Sequence, residues 1–184
     1  LRKYDLSSLR HVFLAGEPLD ETTAQWIAEA LDKPIYDHYW QTETGWALLT
    51  GLPGVEAHAT KFGSPSFPAY GYDVRLLHEE TAEEVPANEK GVVAVVPPLP
   101  PGCMTTVWGQ DERFVQTYFT SFKDKMVYTT FDCGIRDKDG YYFILGRTDD
   151  VINVAGHRLG TREIEESISS HPNVAEVGVV GVAD

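Results

Sequence analysis

The 184-residue sequence has few cysteines and no long apolar run. Its two cysteines, Cys103 and Cys133, lie far apart and form no C-x-x-C pair, so neither a disulfide framework nor a zinc site is predicted. We therefore expect both to be small buried side chains in a protein of the reducing cytoplasm. No stretch approaches the roughly 20 apolar residues that span a bilayer, and no charged-then-apolar leader is present, which predicts no membrane association.

Basic residues are also scarce. The chain has 15 Lys and Arg against 28 Asp and Glu, which gives a formal net charge of -13. Since no basic stripe is available to neutralise a phosphate backbone, the sequence predicts no nucleic-acid partner. A hydrophobic content of 42%, with 11% aromatic residues, is enough to bury a core and predicts one or two globular units.

The sequence lacks the motifs of two common enzyme classes. The G-x-S-x-G elbow of α/β-hydrolases and the G-x-x-x-x-G-K-[ST] loop of P-loop enzymes are both absent. The chain starts with Leu1 and not with methionine, and it ends at Asp184 directly after an apolar run. We expect both ends to be cuts within a longer polypeptide.

The first part of the chain has the strand–helix–strand order of a layered α/β unit. Residues 10–16 form a short apolar run closed by glycine, which predicts a buried strand followed by a loop. Asp20 is a plausible N-cap for a helix whose apolar residues recur at helical spacing and which ends before Pro34. The aromatic-rich segment 34–40 then predicts a second strand.

After about residue 63 the sequence pattern changes to short β-type stretches separated by turn residues. These stretches predict a small antiparallel sheet or β-barrel-like subdomain, with strands over 72–77, 91–96, 125–131 and 141–145. Residues 137–140 predict a hairpin turn between the last two strands.

The last part predicts a strand over 151–154, a helix over 161–170 and a strand over 174–182, with the glycine-flanked segment 156–160 as a loop. This pattern is typical of the start of a small α+β domain. The predicted fold class is therefore mixed α/β or α+β. The predicted division is an α/β portion over 1–62, a β-rich subdomain over 63–148, and a hinge with the start of a C-terminal domain over 149–184.

Polar residues whose side chains can bind a ligand or take part in a reaction lie where the predicted strands end, which is where α/β proteins place ligands. Tyr39 and Trp40 can supply a flat wall for a planar base or an acyl tail, or they can be core aromatics. Gln41 and Thr42 offer hydrogen bonds to a phosphate, and Glu43 offers oxygen ligands to magnesium or a plain surface charge.

Three later residues allow a similar interpretation. Asp132 can accept both hydroxyls of a ribose, and Arg147 can donate to the same sugar or to a phosphate. Arg158 lies between glycines and can meet an anionic phosphate. Each of these side chains is otherwise an ordinary turn or salt-bridge residue.

The combination of motifs carries a resemblance that no single motif carries. In chain order they are Gly16-Glu-Pro18, Tyr39-Trp-Gln-Thr-Glu-Thr-Gly45, Tyr128-Thr-Thr-Phe-Asp132 with Asp139-Gly-Tyr141, and the segment from Gly146 to Gly160. Over essentially its whole length the chain resembles adenylate-forming acyl-CoA synthetases of the acetyl- and propionyl-CoA synthetase branch.

The resemblance implies roles for particular residues. It implies an ATP- and AMP-binding set of Gly16, Glu17, Pro18, Asp37, His38, Tyr39, Trp40, Gln41, Thr42, Asp132, Arg147 and Arg158. It also implies that Trp40 closes the acyl pocket, that Glu43 binds Mg2+ and that Asp149 is a hinge. Ala155 and Gly156 match a loop that approaches coenzyme A, and His171 matches a structural metal contact.

The implied reaction joins a short-chain carboxylate to coenzyme A through an acyl-adenylate, with ATP, coenzyme A and Mg2+ as cofactors. Tyr39, where acetate enzymes commonly carry a second tryptophan, favours propionate. The phosphate loop and the catalytic lysine of such enzymes would lie outside this chain, which is therefore expected to be inactive alone. Three alternatives remain: an acetate enzyme, a catalytically silent nucleotide-binding or adaptor module, and an amino-acid adenylation domain.

Overall fold

A computed structural model describes residues 3–17, 19–154, 157–169, 171 and 173–182. The helices are α1 (Glu21–Leu31), α2 (Asp111–Tyr118) and α3 (Thr161–Ser169), and a short 3-10 turn covers Thr42–Thr44. The strands are β1 (Val12–Ala15), β2 (Ile35–Tyr39), β3 (Leu49–Thr50), β4 (Phe67–Pro68), β5 (Asp73–Leu77), β6 (Gly91–Val96), β7 (Tyr128–Arg136), β8 (Tyr142–Arg147), β9 (Val151–Val154) and β10 (His157–Gly160). The mixed α+β class predicted from the sequence is confirmed.

The first sheet has the strand order β1-β2-β3-β4. β1 and β2 run parallel, with Ala15 opposite His38, so their carboxyl ends meet at one edge of the sheet. The helix between them begins as predicted, because the side chain of Asp20 accepts a hydrogen bond from the Thr23 backbone N–H. This edge therefore carries the two loops that follow β1 and β2.

The second sheet is antiparallel, with the order β5-β6-β7-β8. The predicted antiparallel sheet is confirmed, and it is open and not a closed barrel, because within the described part of the chain β5 and β8 do not pair with each other. Four strands are too few to close around a filled interior. Instead, Ser66, just before β4, bridges to Tyr142 of β8 and joins the two sheets.

The two sheets share an apolar core. Its fully buried members come from both, with Leu49 in β3 of the first sheet and Leu48 just before it, and Val93 and Val95 from β6 of the second. Both cysteines are buried, as predicted. Burial of these apolar side chains is the main force that holds the sheets together.

β7 differs from its predicted bounds of 125–131, because it begins at Tyr128 and continues to Arg136. Asp132 is therefore not at a strand end but inside β7, where register places it opposite Arg147 of β8. The strand is kinked there, since Phe131 has a φ of 63° and a register shift follows at Cys133. Such a bulge changes the direction of neighbouring side chains.

Two predictions for the C-terminal part are wrong. Residues 157–160 form β10, antiparallel to β9, and not a loop. The predicted strand over 174–182 is irregular chain, because no neighbouring strand pairs with it among the described residues. An apolar pattern alone does not make a strand when no ladder is available. The predicted division into three parts stays a prediction.

Helix α2 was not predicted, because its sequence is mostly polar. Asp111 and Glu112 begin it, which suits the positive end of the helix dipole. Phe114 is its buried residue and packs at 5.6 Å from Tyr118 and 5.5 Å from Phe119, measured between ring centroids. The helix is therefore held by a few aromatic contacts.

Gly45 ends the 3-10 turn and cannot carry a side chain. Its φ is 66°, and a Cβ there would lie 2.1 Å from the carbonyl oxygen of Gly102. We predict that Gly45→Ala lowers the free energy of unfolding of the intact protein by about 3 kcal/mol, because strain and overlap add. Denaturant unfolding measures this, with Gly54→Ala as control, since a Cβ at Gly54 meets nothing within 4 Å. An equal loss of unfolding free energy in Gly45→Ala and Gly54→Ala would contradict the prediction.

Candidate functional site

Loops and strands from both sheets enclose a cleft of about 710 Å³. Glu17 after β1, Trp40 after β2, Asp132 in β7 and Arg147 at the end of β8 all line it. Four residues named as site candidates from the sequence therefore line one cleft. The parallel pairing of β1 with β2 brings the first two together, and the register of β7 with β8 brings the last two.

Asp132 is held in the cleft by two neutral donors on one oxygen. The hydroxyl of Tyr39 donates to Oδ2 at 2.5 Å, and Nε2 of Gln41 donates to the same atom at 3.0 Å. No hydrogen bond to Oδ1 is found among the described residues. The arrangement leaves that oxygen as an acceptor in a cleft-lining position.

Burial is the largest influence on the pKa values of Asp132 and Tyr39. It raises the pKa of Asp132 above its ordinary value, while the hydrogen bond from Tyr39 and the charge of Arg147 act in the opposite direction. Burial and the nearby Asp132 carboxylate raise the pKa of Tyr39 well above its ordinary value. Tyr39 therefore stays protonated and remains a donor to Asp132.

The amide of Gln41 is oriented by partners on both ends. Its Nε2 also donates to the Thr130 carbonyl at 2.7 Å, and its Oε1 accepts from the hydroxyl of Tyr128 at 2.9 Å. Burial raises the pKa of Tyr128, so its hydroxyl stays a donor. Tyr128 is thus a supporting residue that sequence reasoning missed, although it begins the Tyr128-Thr-Thr-Phe-Asp132 motif.

Arg147 and Asp149 form a two-pronged ion pair. Nε of Arg147 donates to Oδ1 of Asp149 at 2.7 Å, and Nη2 donates to Oδ2 at 2.9 Å. The pairing raises the pKa of Arg147 and lowers the pKa of Asp149. Since the side chains are 49% and 65% exposed, the pair contributes at most about 1 kcal/mol to stability, and a ligand can displace it.

The start of the cleft is formed by the loop after β1 and by two residues of β2. Glu17 is exposed, and Gly16 before it has a φ of 110°. Asp37 is buried, and its Oδ2 accepts a hydrogen bond from the Leu19 backbone N–H at 3.4 Å, which ties the loop to β2. Burial lowers the pKa of His38, whose Nε2 is buried without a hydrogen-bond partner in the described part of the chain.

A second pocket of about 520 Å³ adjoins the cleft. Trp40, Gln41 and Arg147 line both cavities, so these residues form the wall between them. Thr42 and Glu43 line the second pocket, where Oε1 of Glu43 accepts a hydrogen bond from the hydroxyl of Tyr118 at 2.9 Å. Nothing in the sequence pattern pointed to Tyr118.

The remaining predicted site residues are not among the described residues that line these cavities. Pro18, Ala155 and Gly156 lie outside the described residues, and Arg158 is described only as part of β10. His171 is exposed, and its Nδ1 accepts from the Asn173 backbone N–H at 3.2 Å. The described residues contain no group of three or more His, Cys, Asp or Glu that could hold a metal ion.

None of the helices in the described ranges has the length and apolar character needed to cross a bilayer.

Comparison with known proteins identifies the family. A model of the AMP-binding enzyme family matches residues 1–100, so the chain belongs to that family. It is 63% identical over 184 residues to a propionate–CoA ligase of Escherichia coli K12, with all of this chain and 29% of that protein covered. It is 46% identical to an acetyl-coenzyme A synthetase of Rhodobacter capsulatus, with coverage of 98% and 27%.

A solved structure shows the same fold. The crystal structure of the anthranilate CoA ligase AuaEII in complex with anthranoyl-AMP matches with a TM-score of 0.79 and 30% sequence identity. The match covers 98% of this chain and 32% of that one. The chain thus spans less than a third of the length of the proteins it resembles.

Proposed function

We propose that the protein containing this chain is an AMP-forming acid–CoA ligase that activates a short-chain carboxylic acid, with propionate favoured. In this reaction the carboxylate attacks the α-phosphate of ATP, pyrophosphate leaves, and the thiol of coenzyme A then displaces AMP from the acyl-adenylate. The observation that carries the proposal is the convergence of Glu17, Trp40, Asp132 and Arg147 on one cleft in a chain that is 63% identical to a propionate–CoA ligase. A cytoplasmic location is part of the proposal, supported by two buried cysteine thiols.

We assign the nucleotide to the larger cleft. Asp132 accepts the ribose hydroxyls through its available oxygen, and Arg147 donates to the sugar or to the phosphates. The loop at Gly16 and Glu17 lies against the base, with Pro18 continuing it. Asp37 and His38 shape the same wall, the segment from Tyr39 to Thr42 lines the nucleotide and acyl site, and Trp40 closes the acyl pocket.

We assign the phosphates and Mg2+ to the second pocket. Magnesium usually keeps several waters and binds one or two carboxylates together with substrate phosphates. A half-buried Glu43 with the hydroxyl-bearing Thr42 beside it in a 520 Å³ pocket fits this mode. When bound, the ion neutralises charge on the phosphates. His171 stays a prediction as a structural metal contact.

The remaining assignments concern residues near the C-terminus. Asp149 is the hinge about which the following residues turn between the two half-reactions, and its hydrogen bond to the cleft-lining Arg147 supports this role. Ala155 and Gly156 approach coenzyme A, and Arg158 contacts the nucleotide phosphate. Positioning and charge stabilisation supply most of the catalysis in such transfers.

The preference for propionate rests on sequence similarity and not on Tyr39. The hydroxyl of Tyr39 is engaged by Asp132, so this side chain serves the proposed ribose site. Identity is 63% to the propionate–CoA ligase of Escherichia coli and 46% to the acetyl-coenzyme A synthetase of Rhodobacter capsulatus.

The proposal is tested on the intact protein with acetate, propionate and butyrate. We expect ATP- and CoA-dependent AMP formation with the highest kcat/KM for propionate, and a drop of roughly 10-fold or more for a change of one methylene. An acetate optimum would overturn the choice of acid. Absence of AMP formation, with nucleotide still bound, would favour a catalytically silent module.

A further inference from the structure

Glu43 and Tyr118 are brought together only by the fold, since 75 residues separate them in the sequence. Tyr118 is the last residue of α2, and its ring stacks on that of Tyr128 with a centroid distance of 5.3 Å and an interplanar angle of 9°. Phe119 packs edge-on against the same ring at 5.9 Å. The position of the Tyr118 hydroxyl is therefore set by aromatic packing against β7.

The carboxylate of Glu43 has little other support. The Glu43 carbonyl accepts a hydrogen bond from the Met104 backbone N–H at 2.7 Å, which fixes the main chain. Among the described residues, Tyr118 is the side chain that hydrogen-bonds the carboxylate, and it does so at Oε1. No hydrogen bond to the second oxygen, Oε2, is found among the described residues, and Glu43 lines the pocket that Thr42 and Arg147 also line.

We propose that Tyr118 is a positioning residue that holds one oxygen of Glu43 so that the other is presented to the magnesium–phosphate group. The proposal rests on the function assigned to this pocket above. Partners that orient a metal-binding carboxylate commonly change metal affinity about 10–100-fold when they are removed. A carboxylate oxygen only accepts, so the phenolic hydroxyl of Tyr118 is the donor in this hydrogen bond.

Tyr118→Phe removes the hydroxyl and keeps the stacked ring, so packing against Tyr128 is retained. In the intact protein loaded with ATP, we expect Mn2+ affinity, measured by electron paramagnetic resonance, to fall about 10-fold. ATP affinity in the presence of a metal chelator is expected to stay unchanged. A merely structural role would leave metal affinity unchanged or would move both affinities together.

The chain offers a matched control. Tyr70 donates to Oε2 of Glu56 at 3.1 Å on the exposed surface, so Tyr70→Phe breaks the same type of bond away from the pocket. We expect wild-type Mn2+ affinity for that variant. Glu43→Gln shows how far Mn2+ affinity falls when the carboxylate itself is removed.

The outcomes separate the inference from the proposed function. Weaker Mn2+ binding in Tyr118→Phe and Glu43→Gln, but not in Tyr70→Phe, supports the inference. Wild-type Mn2+ affinity in Tyr118→Phe with weakened affinity in Glu43→Gln overturns the inference and leaves the proposed function intact. Wild-type Mn2+ affinity in both overturns the assignment of Glu43 and the inference with it. Absence of ATP binding by the wild-type protein overturns the proposed function.

Discussion

Asp132→Asn is expected to weaken binding of adenosine nucleotides to the intact protein by roughly 100-fold. Hydrogen bonds to a charged group contribute about 1.5–3 kcal/mol each, and the ribose would lose a charged acceptor for its hydroxyls. The amide oxygen can still accept from Tyr39 and Gln41, which places the amide nitrogen, a donor, toward the sugar. Calorimetric titration with ATP measures the loss.

Folding is expected to survive the same substitution. Because burial raises the pKa of Asp132, its ionised form at neutral pH costs stability in the folded state, and a neutral amide removes that cost. Thermal unfolding should therefore give a Tm equal to or above that of the wild type. Asp73→Asn, which changes an exposed aspartate paired with Arg75, serves as the control with unchanged nucleotide affinity.

The raised pKa of Asp132 also predicts a pH dependence. Adenosine carries no phosphate, so its binding reports protonation of the protein near the ribose. Its affinity should fall as pH is lowered through the raised pKa of Asp132, which happens at a higher pH than for an ordinary aspartate. In Asp132→Asn this dependence should vanish. A wild-type affinity for ATP in this variant would place the ribose elsewhere.

Trp40→Ala is expected to change which acids the protein activates. The Trp40 ring lines both cavities and is 48% exposed, so its removal opens the wall between them. A methylene that fits a pocket is worth about 1–3 kcal/mol, so the kcat/KM ratio of butyrate to propionate should rise at least about 10-fold. Initial rates with a series of straight-chain acids measure the change.

A second tryptophan provides the comparison for this prediction. Trp108 is 97% exposed and lines none of the cavities described above, so Trp108→Ala should keep the wild-type order of acids. If Trp40→Ala keeps that order as well, Trp40 does not limit the acyl chain.

The elements that sequence reasoning predicted well are those with strong local signals. β6 matches its predicted bounds of 91–96, because consecutive apolar residues predict a buried strand whatever its neighbours are. The helix α1 begins at its Asp20 cap and ends before Pro34 for equally local reasons. The motif residues of the cleft could be named because each lies in a short, recognisable string.

The predictions that were wrong depend on strand pairing and side-chain packing between residues that are far apart in the sequence. Residues 174–182 have the apolar pattern of a strand but lack a ladder partner among the described residues, whereas 157–160 pair with β9 despite their glycine-flanked sequence. Helix α2 has too few apolar residues to predict, and the packing of Phe114 holds it in place. Local composition carries no information about these partners.

The amino-acid sequence alone determined the family resemblance, the fold class and the identity of the residues that the cleft brings together. Only the tertiary structure decided that Asp132 lies inside a strand, that Tyr39 and Gln41 share one of its oxygens, and that the carboxylate of Glu43 is held by Tyr118. The reason is that hydrogen-bond geometry depends on strand register and helix packing. Both are set by contacts between residues about 75 to 93 positions apart in this site.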